Sequence, residues 1–134
     1  MEEKPACQLT AFENNDITEI VITGELKERD LENLQDEVTA IIANADSGHS
    51  VLIDVRALQG YFCYSEVFFH IRQYPPDIYR VNIAFVDIPQ NADFQTFQER
   101  TSTGAGMNFK WFTHMDTARS WLRSLRKNTS HFKR

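Results

Sequence analysis

Five residues, Val51-Leu52-Ile53-Asp54-Val55, limit what this chain can fold into more than any other stretch. The run is apolar at nearly every position and rich in β-branched side chains, the pattern of a strand covered on both faces. Such a strand needs a layer above it and a layer below it, so the chain reads as an α/β protein. An Asp near the end of the run, a loop from Arg56 to Gly60, and a burst of aromatics opening a helix follow in order. In α/β sheets ligands gather at the carboxyl ends of strands, so this is where a site belongs. The stretch itself carries no recognisable catalytic chemistry.

The flanking sequence fills in the rest. Cys7 to Glu13 and Ile17 to Gly24 alternate as two strands joined by Asn14-Asn15-Asp16, a strong turn signal, which predicts an antiparallel hairpin. Leu31, Leu34, Val38, Ile41, Ile42 and Ala45 recur at helical spacing, and Asp46-Ser47-Gly48 ends the helix. After the central strand, Tyr64 to Tyr74 reads as a helix stopped by Pro75-Pro76. Arg80 to Val86 is a second buried strand, Asn91 to about Ser102 a helix, and Asn108 to Phe112 a short last strand. Thr113-x-x-Asp116 suits a helix start, with Ala118, Trp121, Leu122 and Leu125 on one face beyond it. The order β-β-α-β-α-β-α-β-α predicts a mostly parallel sheet with an antiparallel edge strand. One domain over residues 1–134 is expected, with its core at about 7–126 between an N-terminal tail and a basic C-terminal tail.

Charge and composition narrow the function classes. No apolar run approaches the roughly 20 residues of a membrane-spanning helix, so no stable membrane insertion is expected. The acidic start Met1-Glu2-Glu3-Lys4-Pro5 lacks the pattern of a signal peptide, and Cys7 and Cys63 are far apart. A cytoplasmic protein with free thiols is the expectation. The net charge of −5 is uneven: residues 1–49 hold 12 of the 19 acids, and no acid follows Thr117 although six basic residues do. Helix C-termini favour cations, so the basic end reads as a solvated helix end, and nucleic acid is not an expected partner.

Taken in order, several motifs resemble the SpoIIAA-like group of the STAS (sulphate transporter and anti-sigma-factor antagonist) superfamily. They are Gly24 followed by Arg29-Asp30-Leu31, Val51-Leu52-Ile53-Asp54 with Gly60, Arg80-x-x-Ile83-Ala84-Phe85-Val86, and Phe112…Asp116-x-Ala118-x-x-Trp121-Leu122. The resemblance covers roughly residues 16–125. It implies a STAS/SpoIIAA-like α/β fold with a sheet of four to five strands, helices largely on one face of the sheet, and binding rather than catalysis. In the phospho-regulated antagonists the helix after the central strand starts with an Asp-Ser or similar pair whose Ser is phosphorylated. The corresponding stretch here is Phe62-Cys63-Tyr64-Ser65-Glu66, so Ser65 is the phosphorylation candidate, while Phe62 in the acid's place speaks against the switch.

The candidate binding residues are Asp54, Arg56, Tyr61, Phe62, Cys63, Tyr64, Phe68 and Phe69. Asp54 reads either as a functional acid or as a carboxylate accepting amides of the next loop. Arg56 is placed to pair with it or with a bound anion. Cys63 would need a neighbouring base to act as a nucleophile, and none is identifiable. His49, His70, His114 and His131 lack metal-ligand spacing, and only His70 lies among the aromatics. No catalytic residue, metal or cofactor is expected. Tyr64, Phe68 and Phe69 wrap more than one helical stripe, which suits an aromatic core, a self-association patch or the wall of an apolar pocket. The leading expectation is a non-enzymatic interaction or regulatory module whose partner is another protein or a second copy in a homodimer. The alternative is a carrier of a small apolar ligand or lipid that uses residues 61–74.

Overall fold

A computed structural model of the chain describes residues 7–45, 49–60, 71, 73 and 76–132, with only the backbone described for residues 28, 77 and 126–132. The elements follow from local chemistry. Strands β1 (Gln8–Asn14) and β2 (Ile17–Leu26) form a hairpin in which Asn14 opposes Ile17, leaving a two-residue turn. Asn15 and Asp16 both take positive φ (50° and 69°), the conformation that a tight hairpin turn demands and that Asn and Asp tolerate. Helix α1 (Leu31–Ala43) follows a 3-10 turn over Glu28–Asp30, and the Asn44 side chain closes it on the Ala40 carbonyl at 2.9 Å.

Strand β3 (Ser50–Asp54) is buried at all five positions. It pairs in parallel with β2 on one side and with β5 (Asn82–Val86) on the other, and β6 (Asn108–Phe112) pairs with β5. A strand flanked by strands and covered on both faces explains the unbroken apolar run. Helices α2 (Ala92–Gly104) and α3 (Met115–Phe132) complete the described elements, and 3-10 turns span Pro76–Arg80 and Pro89–Asn91.

The sheet runs β1-β2-β3-β5-β6, mostly parallel with one antiparallel edge pair. A sixth strand, β4 (Leu58–Gly60), pairs with the far end of β2, which the sequence reading did not anticipate. The second strand was expected to stop at Gly24; instead the chain bends there (φ 93°) and continues to Leu26, leaving β3 to meet β4. The strand expected from Arg80 begins at Asn82, because Pro76–Arg80 is a 3-10 turn closed by Val81 N–H on Ile78 O. The expected helix 64–74 lies almost wholly outside the described residues.

Two cores sandwich the sheet. Leu31, Leu34, Val38 and Ile42 of α1, with Phe94 and Phe97 of α2, pack on Ile20, Ile22, Val51, Ile53, Ile83 and Phe109. Ala118, Trp121 and Leu122 of α3 cover Ile17, Leu52, Ala84 and Val86 on the opposite face. Two of the three described helices thus share a face. Fully burying each such aliphatic side chain contributes about 1.5–3 kcal/mol.

Candidate functional site

At the carboxyl ends of the parallel strands the chain gathers carboxylates and their donors. Asp54, the last residue of β3, is buried, and its Oδ1 accepts the Arg56 backbone N–H at 3.1 Å. The Arg56 guanidinium adds a two-pronged grip, Nε to Oδ1 and Nη2 to Oδ2, both 2.9 Å. The acid is therefore fully engaged by its own loop, while the Arg56 side chain remains 45% exposed at the sheet edge. Burial pushes the Asp54 carboxyl up, but the side-chain and backbone hydrogen bonds from Arg56, its charge and the charge of Arg119 outweigh this and hold it below its ordinary value.

A second ion pair lies on the same sheet face, between β2 and α3. Glu19 is 1% exposed and receives Arg119 Nε at 2.9 Å on Oε2 and Nη2 at 3.0 Å on Oε1, with Asn14 Nδ2 also on Oε2 at 2.8 Å. Burial pushes this carboxyl up as well, yet the hydrogen bonds from Arg119 and Asn14 and the Arg119 charge win, and it sits below its usual range despite the Asp54 charge. Both guanidinium groups are correspondingly raised by their carboxylate hydrogen bonds.

These shifts fix the direction of the acid response. Free carboxyls titrate near pH 4; both folded values lie lower, so each group stabilises the fold fully above that range and loses its contribution as pH falls through the folded value. Urea midpoints are expected to be flat from pH 7 to about pH 5 and to fall steeply below about pH 4. The Arg119→Met variant is expected to show a shallower acid slope, and a slope equal to that of the wild type would contradict this account.

On the opposite face, Asp87 follows β5, is fully buried, and accepts Ile88 N–H (2.7 Å), Asn91 Nδ2 (3.0 and 3.1 Å) and Gln95 Nε2 (2.9 Å). The three side chains stand at i, i+4 and i+8, one above another on the entry to α2. This ladder ties the helix to the strand end. At the amino edge of the sheet, Thr18 Oγ1 donates to Glu13 Oε1 at 2.7 Å and lies 2.6 Å from His49 Nε2. With the Thr18 proton on Glu13, the His49 ring donates through Nε2.

Asp54 and Arg56 are thus brought together, whereas Tyr61, Phe62, Cys63, Tyr64, Ser65, Phe68, Phe69 and His70 lie outside the described residues. The described cysteine, Cys7, lines a cleft of about 220 Å³ with Leu9, Asp30, Asn33, Leu34 and Glu37. Burial, then the charges of Asp30 and Glu37, push its thiol up, which disfavours the nucleophilic thiolate. Between α1, α2 and the sheet an apolar gap lined by Val38, Ile53, Ile71, Ile83 and Phe109 measures only about 20 Å³. That is space for one water, far below the several hundred Å³ of a ligand pocket, so the described residues lend no support to an apolar-ligand carrier.

Glu19, Arg119 and the Asp87 ladder were not singled out from the sequence. Glu19 left a trace, a lone acid between Ile17 and Val21 on one face of a buried strand. The 87-91-95 spacing left another.

No protein-family model matches the chain, and no curated protein matches it by sequence. Solved structures do resemble it. One is an anti-sigma factor antagonist from Mycobacterium paratuberculosis, 13% identical, with a TM-score of 0.62 over 87% of this chain and 94% of that one. Another is an uncharacterised protein with a SpoIIAA-like fold from Shewanella loihica, 15% identical, with a TM-score of 0.55 over 87% and 94% of the two chains. The chain therefore has the SpoIIAA-like fold that its ordered motifs imply. Among the described residues no helix is long and apolar enough to cross a membrane, and no group of His, Cys, Asp and Glu could hold a metal ion.

Proposed function

We propose that this chain is a regulatory protein-interaction module without catalytic activity, acting in the cytoplasm. Its docking residues are Arg56, at the carboxyl edge of the parallel strands, and the aromatic residues Tyr61, Phe62, Tyr64, Phe68 and Phe69 that follow in sequence. The observation that carries this reading is the extent of the likeness to an anti-sigma factor antagonist, whose fold is shared over 94% of its length. The chemistry of the edge agrees. Asp54 is bound by its own Arg56 in an arrangement that holds a loop rather than activates a substrate, and the guanidinium is exposed enough to reach a partner's carboxylate.

The test is cross-linking and co-purification of the tagged protein from its source cells, with captured proteins quantified by mass spectrometry. Phe69→Asp and Arg56→Ala, each checked to melt as the wild type does, are expected to lose a specific partner by about tenfold, equivalent to about 1.4 kcal/mol of binding. Equal capture by both variants, or no enriched protein with the wild type, would overturn the proposal. If Phe69→Asp unfolds, Arg56→Ala decides.

A further inference from the structure

The two edges of the sheet are treated differently. On the outer side of β6, the Trp111 backbone N–H is capped by Glu99 Oε1 of α2 at 2.9 Å, so a donor that would otherwise invite another strand is already taken. On the outer side of β1 no such cap exists among the described residues. The pairing of β1 with β2 is continuous over seven residues, without a bulge, and the strand contains neither Lys nor Pro, the residues that commonly blunt an edge. Five of the seven residues are polar or small and mostly exposed; of the two large apolar ones, Leu9 is half-buried against the core, whereas Phe12 is 47% exposed, the most exposed of the large apolar side chains described.

The register fixes what this edge offers. In a two-residue hairpin the residues flanking the turn, Asn14 and Ile17, exchange both hydrogen bonds, and the pairs then alternate. Leu9, Ala11 and Glu13 consequently aim their N–H and C=O groups away from β2, toward the open edge. Ala11 lies at the midpoint of Gln8–Asn14. A two-fold axis through Ala11 overlaps the whole strand with itself. It sets Ala11 against Ala11, Leu9 against Glu13, Thr10 against Phe12, and Gln8 against Asn14.

We infer that this edge pairs with a second copy of the chain, β1 against β1 in antiparallel register about Ala11, to make one continuous sheet across a homodimer. The pairing satisfies three residue pairs that exchange about six backbone hydrogen bonds. Ala11 on the axis lets the backbones approach. Phe12 is covered by Thr10 and, diagonally, by the Phe12 of the other copy, which is within reach for an aromatic side chain. Glu13 keeps its charge turned to its own chain, because Thr18 holds Oε1. The dimer is independent of partner docking at Arg56, since β1 lies at the sheet edge and not at the carboxyl ends of the parallel strands.

Analytical ultracentrifugation of the purified full chain over a wide concentration range tests it. The wild type is expected to sediment as a species of twice 15.6 kDa. Ala11→Pro removes an outward donor without touching the β1–β2 ladder, and Phe12→Lys places a charge on each side of the axis. Both are expected to raise the dissociation constant at least about tenfold while leaving the far-ultraviolet circular dichroism unchanged. Amide exchange at Leu9, Ala11 and Glu13 is expected to slow with rising protein concentration, and Phe69→Asp is expected to leave the dimer intact. A monomer at all concentrations overturns the inference, as does a dimer that neither Phe12→Lys nor a folded Ala11→Pro weakens.

Discussion

Replacing Arg119 with Met is expected to lower the unfolding free energy by on the order of 3 kcal/mol at pH 7, the lower end of what breaking a buried ion pair costs. The lower end applies because the Arg119 side chain is 25% exposed and Asn14 keeps its bond to the carboxylate. Nearly all of the effect comes from the partner left behind: Glu19 is sealed between β2 and α3 and would face an apolar layer as an uncompensated anion. The companion variant carries Met at both positions. It removes charge and partner together and is expected to return to within about 1 kcal/mol of the wild type, because well-packed apolar replacements of buried pairs are often neutral. Denaturant unfolding with a shared slope measures all three proteins. A single variant within about 0.5 kcal/mol of the wild type would mean that the pair behaves like an exposed surface contact.

Gly60→Ala is expected to destabilise the fold by at least about 2 kcal/mol, which for a chain of this size lowers the thermal midpoint by roughly 6–12 °C. Gly60 has φ +128°, a region that other residues rarely enter, and a Cβ built there would stand 2.1 Å from the Leu26 carbonyl oxygen. Neither group can move alone, because β2 and β4 are paired at that residue. Gly104→Ala is the control. A methyl at that end of α2 meets nothing within 4 Å, so the same chemical change is expected to be neutral or to add about 0.4–1 kcal/mol by narrowing the unfolded ensemble. Equal effects at the two sites would refute the close approach of β4 to β2.

The order of strands and helices was legible because burial writes itself into spacing. Val51 to Val55 could only be covered on both faces, and the Asn15-Asp16 turn could only close a hairpin. Strand β4 was not legible: three residues, one of them glycine, are too few to show a period, and their pairing depends on a bend at Gly24. The carboxylate of Asp54 was located, and its pairing with Arg56 was one of two alternatives that spacing alone left open. Glu19 escaped for a different reason. Its partner stands 100 residues away, and no local pattern reports which distant cation a buried acid will meet.

That separation also has a consequence for how the protein is made. Synthesis adds residues at about 5–20 per second, so the ribosome delivers Arg119 roughly 5–20 s after Glu19. Once Val86 has been added, the face formed by Ile17, Leu52, Ala84 and Val86 still waits for α3, and Glu19 has yet to meet Arg119. The arrival of α3 closes the apolar layer and neutralises the anion in one step. Helix α3 is therefore the described element that both covers this face and neutralises its acid.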